Sequence, residues 1–115
     1  MFVKFKKWNC EVSFAHYRNF NTAIELIQIE NGDPIAKATV NPGFDLPGDE
    51  VAIKSYSENE GMLEALIEAG VVNRPHRVVE SGYVLIPICK LTPQAVRELD
   101  REIGVRVDRL KGEDF

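Results

Sequence analysis

The densest run of side chains able to do chemistry is Lys54-Ser55-Tyr56-Ser57-Glu58-Asn59-Glu60-Gly61. It brings an ammonium, two hydroxyls, a phenol, two carboxylates and an amide into one short stretch. Such a set recognises polar groups by ion pairing and hydrogen bonding rather than by covalent chemistry. The run falls where a strand pattern gives way to a helix start. Backbone N–H groups favour anions there, so Glu58 and Glu60 also serve the helix itself. With Glu64 one turn further on, Lys54, Tyr56, Glu58, Asn59, Glu60 and Glu64 are the candidate binding residues. They form a polar recognition surface beside a sheet edge.

Other chemistries find little support. His16 and His76 stand far apart, and each lacks a neighbouring Cys or His at ligand spacing, so no zinc site is expected. Asp45, Asp49 and Glu50 lie in a Pro- and Gly-containing loop whose spacing does not match a calcium-binding EF-hand. No phosphate-cradling glycine loop, nucleophile elbow or HExxH pattern is present. Cys10 and Cys89 sit inside apolar runs, away from any electropositive helix start, and read as buried thiols. The basic, aromatic N-terminus (Phe2, Lys4, Phe5, Lys6, Lys7, Trp8) is the one candidate for nucleic-acid contact. Lysines on a strand more often protect an edge, and nucleic acid is not the expected partner. Neither a catalytic residue nor a metal or cofactor is expected.

The elements that must position the candidate site can be read from periodicity. Residues 3–17 alternate, with Trp8, Cys10, Val12, Phe14 and His16 on one face, as a half-buried strand does. Asn31-Gly32 between Thr22–Glu30 and Ile35–Val40 predicts a hairpin. Pro34 is confined to a strand start or edge, and the change of apolar parity at Leu26/Ile27 predicts a bulge or a strand covered on both faces. Asn41–Glu50 reads as a loop, followed by a strand over Val51–Tyr56. Ser57 and Glu60 have capping-box spacing for a first helix, whose stripe is Met62, Leu63, Leu66 and Ile67 and whose end is Gly70. Arg77–Glu80 and Tyr83–Cys89 are two further strands. In the second, apolar residues on both parities argue for burial while Pro87 argues for an edge or bulge. Thr92 caps a second helix with Pro93 in its first turn, and Gly104 is expected to end it. Val105–Val107 then gives a short strand in a flexible tail, residues 105–115. The expected fold is a single α+β domain, residues 1–115, with a mostly antiparallel sheet of about five or six strands and two helices packed against it.

The 115 residues suit one domain, and 44% hydrophobic with 28% charged residues is ordinary globular usage. No apolar run is long enough to span a bilayer and no secretory signal pattern is present, so a cytoplasmic monomer or homodimer without membrane contact is expected. The net charge of −4 is uneven: residues 19–72 hold ten carboxylates against Lys37 and Lys54. That acidic middle suits a protein partner with a basic surface, or a solvated face.

The segments Ile35-Ala36-Lys37-Ala38-Thr39-Val40-Asn41 and Val51 to Met62, with its IKSYSENEGM string, resemble a family of small proteins. That family carries a domain of unknown function and occurs in phages, conjugative plasmids and their bacterial hosts. Trp8, the Asn31-Gly32-Asp33-Pro34 turn and the Val84-to-Leu91 strand share the resemblance, which covers roughly residues 5–92. It implies a mobile-element setting and supplies no catalytic residues. In that setting the expected function is a non-enzymatic interaction protein, and one task for an acidic surface is to block a host defence nuclease. The alternative is a small-molecule or nucleotide-binding domain using the Tyr56–Glu60 corner.

Overall fold

The computed structural model describes the backbone of residues 1–113 and the side chains of residues 1–103. The chain runs β1 (Phe2–Phe5), β2 (Trp8–His16), β3 (Thr22–Gln28), β4 (Pro34–Lys37), β5 (Glu50–Ala52), a 3₁₀ turn (Ser57–Asn59), α1 (Met62–Glu68), β6 (Arg77–Ser81), β7 (Val84–Lys90) and α2 (Pro93–Glu113). The fold is α+β.

The strands form two antiparallel sheets rather than one: β1-β2-β3-β4 and β5-β7-β6. The cause is the Asn41–Asp49 loop, which lifts the chain from the first sheet and lays it down again as β5. A short hydrogen-bonded seam joins the two. Thr39 bridges Ile53, Val40 N–H donates to Ala52 at 3.0 Å, and Lys54 N–H donates to Ala38 at 2.9 Å.

The expected single strand over residues 3–17 is a hairpin, folded at Lys6-Lys7 so that Phe5 faces Trp8. Lys6 adopts φ 54°, a conformation better suited to Gly or Asn, and no turn residue announced it. The apolar face is as read: Cys10, Val12 and Phe14 are buried, while His16 at the strand end is exposed. The β3–β4 register slips between Leu26 and Ile27, so the parity change in the sequence is a bulge. Pro34 opens β4 at the sheet's edge, where its missing N–H costs no ladder bond.

The edge or bulge expected at Pro87 is overturned: β7 is the central strand of its sheet, and its pairing with β6 runs through Pro87 without a register shift. Pro87 lies opposite Val78, and its carbonyl accepts from Ile53 N–H at 3.0 Å just past the end of β5. Ile88 and Cys89 are fully buried, whereas Leu85 near the hairpin tip is exposed.

Both helices serve one core. Phe14, Ile24, Leu26, Ile53, Met62 and Leu66 are fully buried there, with α1 packed against β1 and α2 against β2. A smaller cluster, Ala52, Ile86 and Ile88 with Val40 and Leu46 against it, underlies the second sheet. Gly70 ends α1 at φ 75°, the left-handed conformation a helix end favours. Thr92 caps α2, its hydroxyl accepting from Ala95 N–H at 3.1 Å and donating to the Gly70 carbonyl at 2.6 Å. The expected stop at Gly104 and strand at Val105–Val107 are overturned, since the helix continues to Glu113. One interior glycine costs only about 1 kcal/mol against alanine, too little to stop a helix already nucleated. The side chains of the expected tail, residues 105–115, lie outside the described residues. No helix among the described residues is long and apolar enough to cross a membrane.

Candidate functional site

The corner between β5 and α1 is shaped by Asn59, which is only 1% exposed. Its amide donates to the carbonyls of Lys37 at 2.6 Å and Lys54 at 3.1 Å. Both amide hydrogens are therefore spent on holding the corner to the end of β4. Asn59 is a structural clamp, and the sequence alone did not distinguish that task from ligand binding.

The expected capping box is overturned. Ser57 sits at φ 58° in the 3₁₀ turn, and Glu60 N–H donates to the Ser57 carbonyl at 3.2 Å. α1 starts at Met62, after Gly61 at φ 91°, and the hydroxyl that meets its orphan donors is Ser55, accepting from Leu63 N–H at 3.1 Å. The turn inserted between Ser57 and the helix moves the start beyond the reach of the Ser57 side chain. A positive φ at Gly61 is what makes this offset possible.

On the outer side of the corner Lys54 Nζ meets Glu58 Oε1 at 2.6 Å and lies 5.7 Å from the centre of the Tyr56 ring. Lys6, from the β1–β2 turn, donates to the Glu58 carbonyl at 2.8 Å. The hydrogen bond from Lys54 is the chief reason the Glu58 carboxyl is lowered to about 2, with its own backbone N–H and the Ser57 hydroxyl adding to the effect. The same bond to Glu58 raises Lys54. The structure thus brings Lys54, Tyr56 and Glu58 together, but largely satisfies them against one another.

Glu60 and Glu64 are exposed, and their carboxylates make no hydrogen bond or ion pair with any described residue. Glu68, four residues beyond Glu64 on α1, shares its face and its exposure. Across a cleft of ≈ 320 Å³ from Glu68 stand Phe2, Lys4 and Lys6 of the first hairpin. The remaining carboxylates of the acidic middle are dispersed. Glu25 is on β3, Glu30 and Asp33 flank the β3–β4 turn, Asp45 and Asp49 belong to the loop entering β5, and Glu50 opens that strand. The continuous acidic segment of the sequence is therefore dispersed over several elements; Glu64 and Glu68 share one face of α1, and Glu60 precedes them in the turn before Gly61.

Elsewhere, His76 Nε2 lies 3.0 Å from Glu50 Oε1, and the Arg77 guanidinium sits 5.4 Å from the centre of the Phe44 ring. His16 packs edge-on against Phe20, their ring centres 6.2 Å apart. Cys10 and Cys89 are free and fully buried. Burial raises both thiols, Cys89 to about 11, which leaves almost no thiolate at neutral pH. No group of three or more His, Cys, Asp or Glu side chains among the described residues is arranged to hold a metal ion.

Two charged residues outside the candidate set make long-range contacts to backbone groups. Lys6 reaches the corner from 52 positions away. Glu102 of α2 accepts from Phe14 N–H at 2.7 Å, from 88 positions away. No local pattern encodes either contact. Comparison with family models, with curated proteins and with solved structures finds no match to this chain.

Proposed function

We propose that this chain is a non-enzymatic interaction protein that presents the acidic ridge Glu60, Glu64 and Glu68 to a basic surface on a protein partner. The observation that supports this is the contrast within the corner itself. Lys54, Tyr56, Glu58 and Asn59 are occupied by contacts inside the chain, whereas the three ridge carboxylates are exposed and unpaired among the described residues. A small-molecule or nucleotide site would need convergent free polar groups in a concave setting. The corner's groups are instead turned on one another, which disfavours that reading. In the mobile-element setting that the resemblance implies, the Lys- and Arg-lined channel of a host defence nuclease is a fitting basic surface.

The test is a purified nuclease of that kind, titrated with the protein at rising salt. Binding should weaken with ionic strength and be lost when Glu60, Glu64 and Glu68 are all replaced by lysine. Reversal of Glu30 and Asp33 at the distant β3–β4 turn should leave it intact. Glu102 is unsuitable as a control because it holds Phe14. Salt-independent binding, or full activity in the folded triple variant, would exclude the ridge.

A further inference from the structure

A second surface, independent of the acidic ridge, lies on the β6–β7 hairpin. Cross-strand pairing puts Val78 with Pro87, and Glu80 with Leu85, on one face of the sheet. The opposite face, Val79 with Ile86, covers the small apolar cluster. On the first face Val78 is 56% and Leu85 64% exposed, and Tyr83 at the hairpin tip is fully exposed. Beside this apolar face runs the outer edge of β6. It is the terminal strand of its sheet, and no backbone group of Arg77–Ser81 bonds to anything but β7 among the described residues.

The other strand edges are managed. β1 carries Lys4 and is followed by Lys6 in the turn, residues that discourage pairing. β4 begins with Pro34, and its Lys37 carbonyl is taken by Asn59. β5 is flanked by the Thr39 seam. β6 has no lysine, proline or bulge, and its two charged residues, Arg77 and Glu80, flank an apolar Val78-Val79 centre. An open row of backbone donors and acceptors is matched by another extended backbone, so the occupant it calls for is a strand. Its charge is indicated by Arg74, three residues before β6, and Arg77, which opens it over the Phe44 ring; both are exposed and without a carboxylate partner among the described residues.

We propose that the β6 edge receives an extended segment of a partner protein as a fourth, antiparallel strand of the β5-β7-β6 sheet. The segment carries apolar side chains at alternate positions, beside Val78, and acidic residues at its C-terminal end, beside Arg74 and Arg77.

The probe is a synthetic peptide of roughly eight residues, alternating valine and threonine and ending in two aspartates. Its binding to the intact protein is followed by fluorescence anisotropy and by backbone amide NMR shifts. The expected result is saturable binding with shifts concentrated in Arg77–Ser81. Affinity should fall at least about tenfold when a central valine of the peptide becomes proline, or when Val78→Lys places an edge lysine on β6. A smaller loss is expected when the peptide's aspartates become lysines. Tyr83→Ser leaves the edge in place and checks that any loss is not a general effect of altering the hairpin. No binding at about 1 mM peptide overturns the proposal. Undiminished binding to a folded Val78→Lys protein overturns it, as do shifts confined to β1. A protein that self-associates without peptide, and becomes monomeric on Val78→Lys, overturns it in favour of a second copy as the occupant.

Discussion

β2 and β6 pose the same physical problem and meet it differently. β1 pairs only with Trp8 to Glu11 of β2, leaving the rest of that strand without a neighbour on one side. There the fold supplies substitutes: Met1 accepts from Val12 N–H at 2.9 Å, and the Glu102 carboxylate accepts from Phe14 N–H at 2.7 Å. A helix side chain stands in for a missing strand. β6 receives no such substitute. The difference follows from burial, since Val12 and Phe14 belong to the main core, where an orphan donor is costly, whereas β6 is exposed and water can satisfy it. Edge closure in this molecule therefore tracks the core, and the open edge lies where the structure is least committed to its own packing.

The largest test of that contrast is apolar. Leu26 is fully buried in the first sheet, and Leu26→Ala should destabilise the protein by about 2–5 kcal/mol, through lost burial and the cavity left behind. Leu85→Ala on the open hairpin should change stability by no more than about 0.5 kcal/mol. Urea unfolding with matched slopes gives both numbers. A comparable loss at Leu85 would mean that the hairpin face is covered in solution.

An intermediate effect is expected at the closed edge itself. Glu102→Ala leaves Phe14 N–H without its acceptor, at a cost of about 1–3 kcal/mol. Glu102→Gln keeps an acceptor and should lose less. Glu98, whose ion pair with Arg101 is on the surface of the same helix, should tolerate alanine within about 0.5 kcal/mol. Faster amide exchange at Phe14 in Glu102→Ala, with β6 exchange unchanged, would locate the loss at the β2 edge. If Glu98 and Glu102 cost the same, the carboxylate is not closing that edge.

Much of this architecture is legible in the chain because it is local. Asn31-Gly32 marks one hairpin, the parity slip at Leu26/Ile27 marks the bulge, Thr92-Pro93 marks a helix start, and Gly70 marks a helix end. The misses have one of two causes. At Lys6-Lys7 the turn is held by residues with no turn preference, so strand pairing overrides local propensity. At Gly104 the helix outlasts a residue that usually ends one. Glu102, Lys6 and Asn59 were not identifiable as structural because their partners are distant in sequence and each bonds to the backbone, which leaves no side-chain complement to find. Lys54, Tyr56 and Glu58, neighbours in the sequence, meet in one polar corner. Which of its members are free was decided by folding: Ser55 took the capping task expected of Ser57, and Asn59 turned inward.

The smallest expected effect sharpens the division between occupied and free carboxylates. Glu58 is held at about 2, well below its ordinary 4.5, chiefly by the hydrogen bond from Lys54. A carboxyl lowered on folding stabilises the native state at pH above its unfolded value, and that contribution is lost as pH falls through the folded one. The window for this pair is therefore from about 4.5 down to about 2. Because Glu58 is largely exposed, the gain is screened by solvent and by salt, and it should be small in any melting curve. Carboxyl ¹³C shifts are the more direct measure. Glu58 should titrate near 2 in the native protein and return toward 4.5 in Lys54→Met, with the shift shrinking at high salt. A Glu58 midpoint already near 4.5 in the native protein would mean that the Lys54 pair does not persist in solution. Glu58 would then be a free carboxylate beside Glu60, Glu64 and Glu68, and the acidic ridge would extend across the corner.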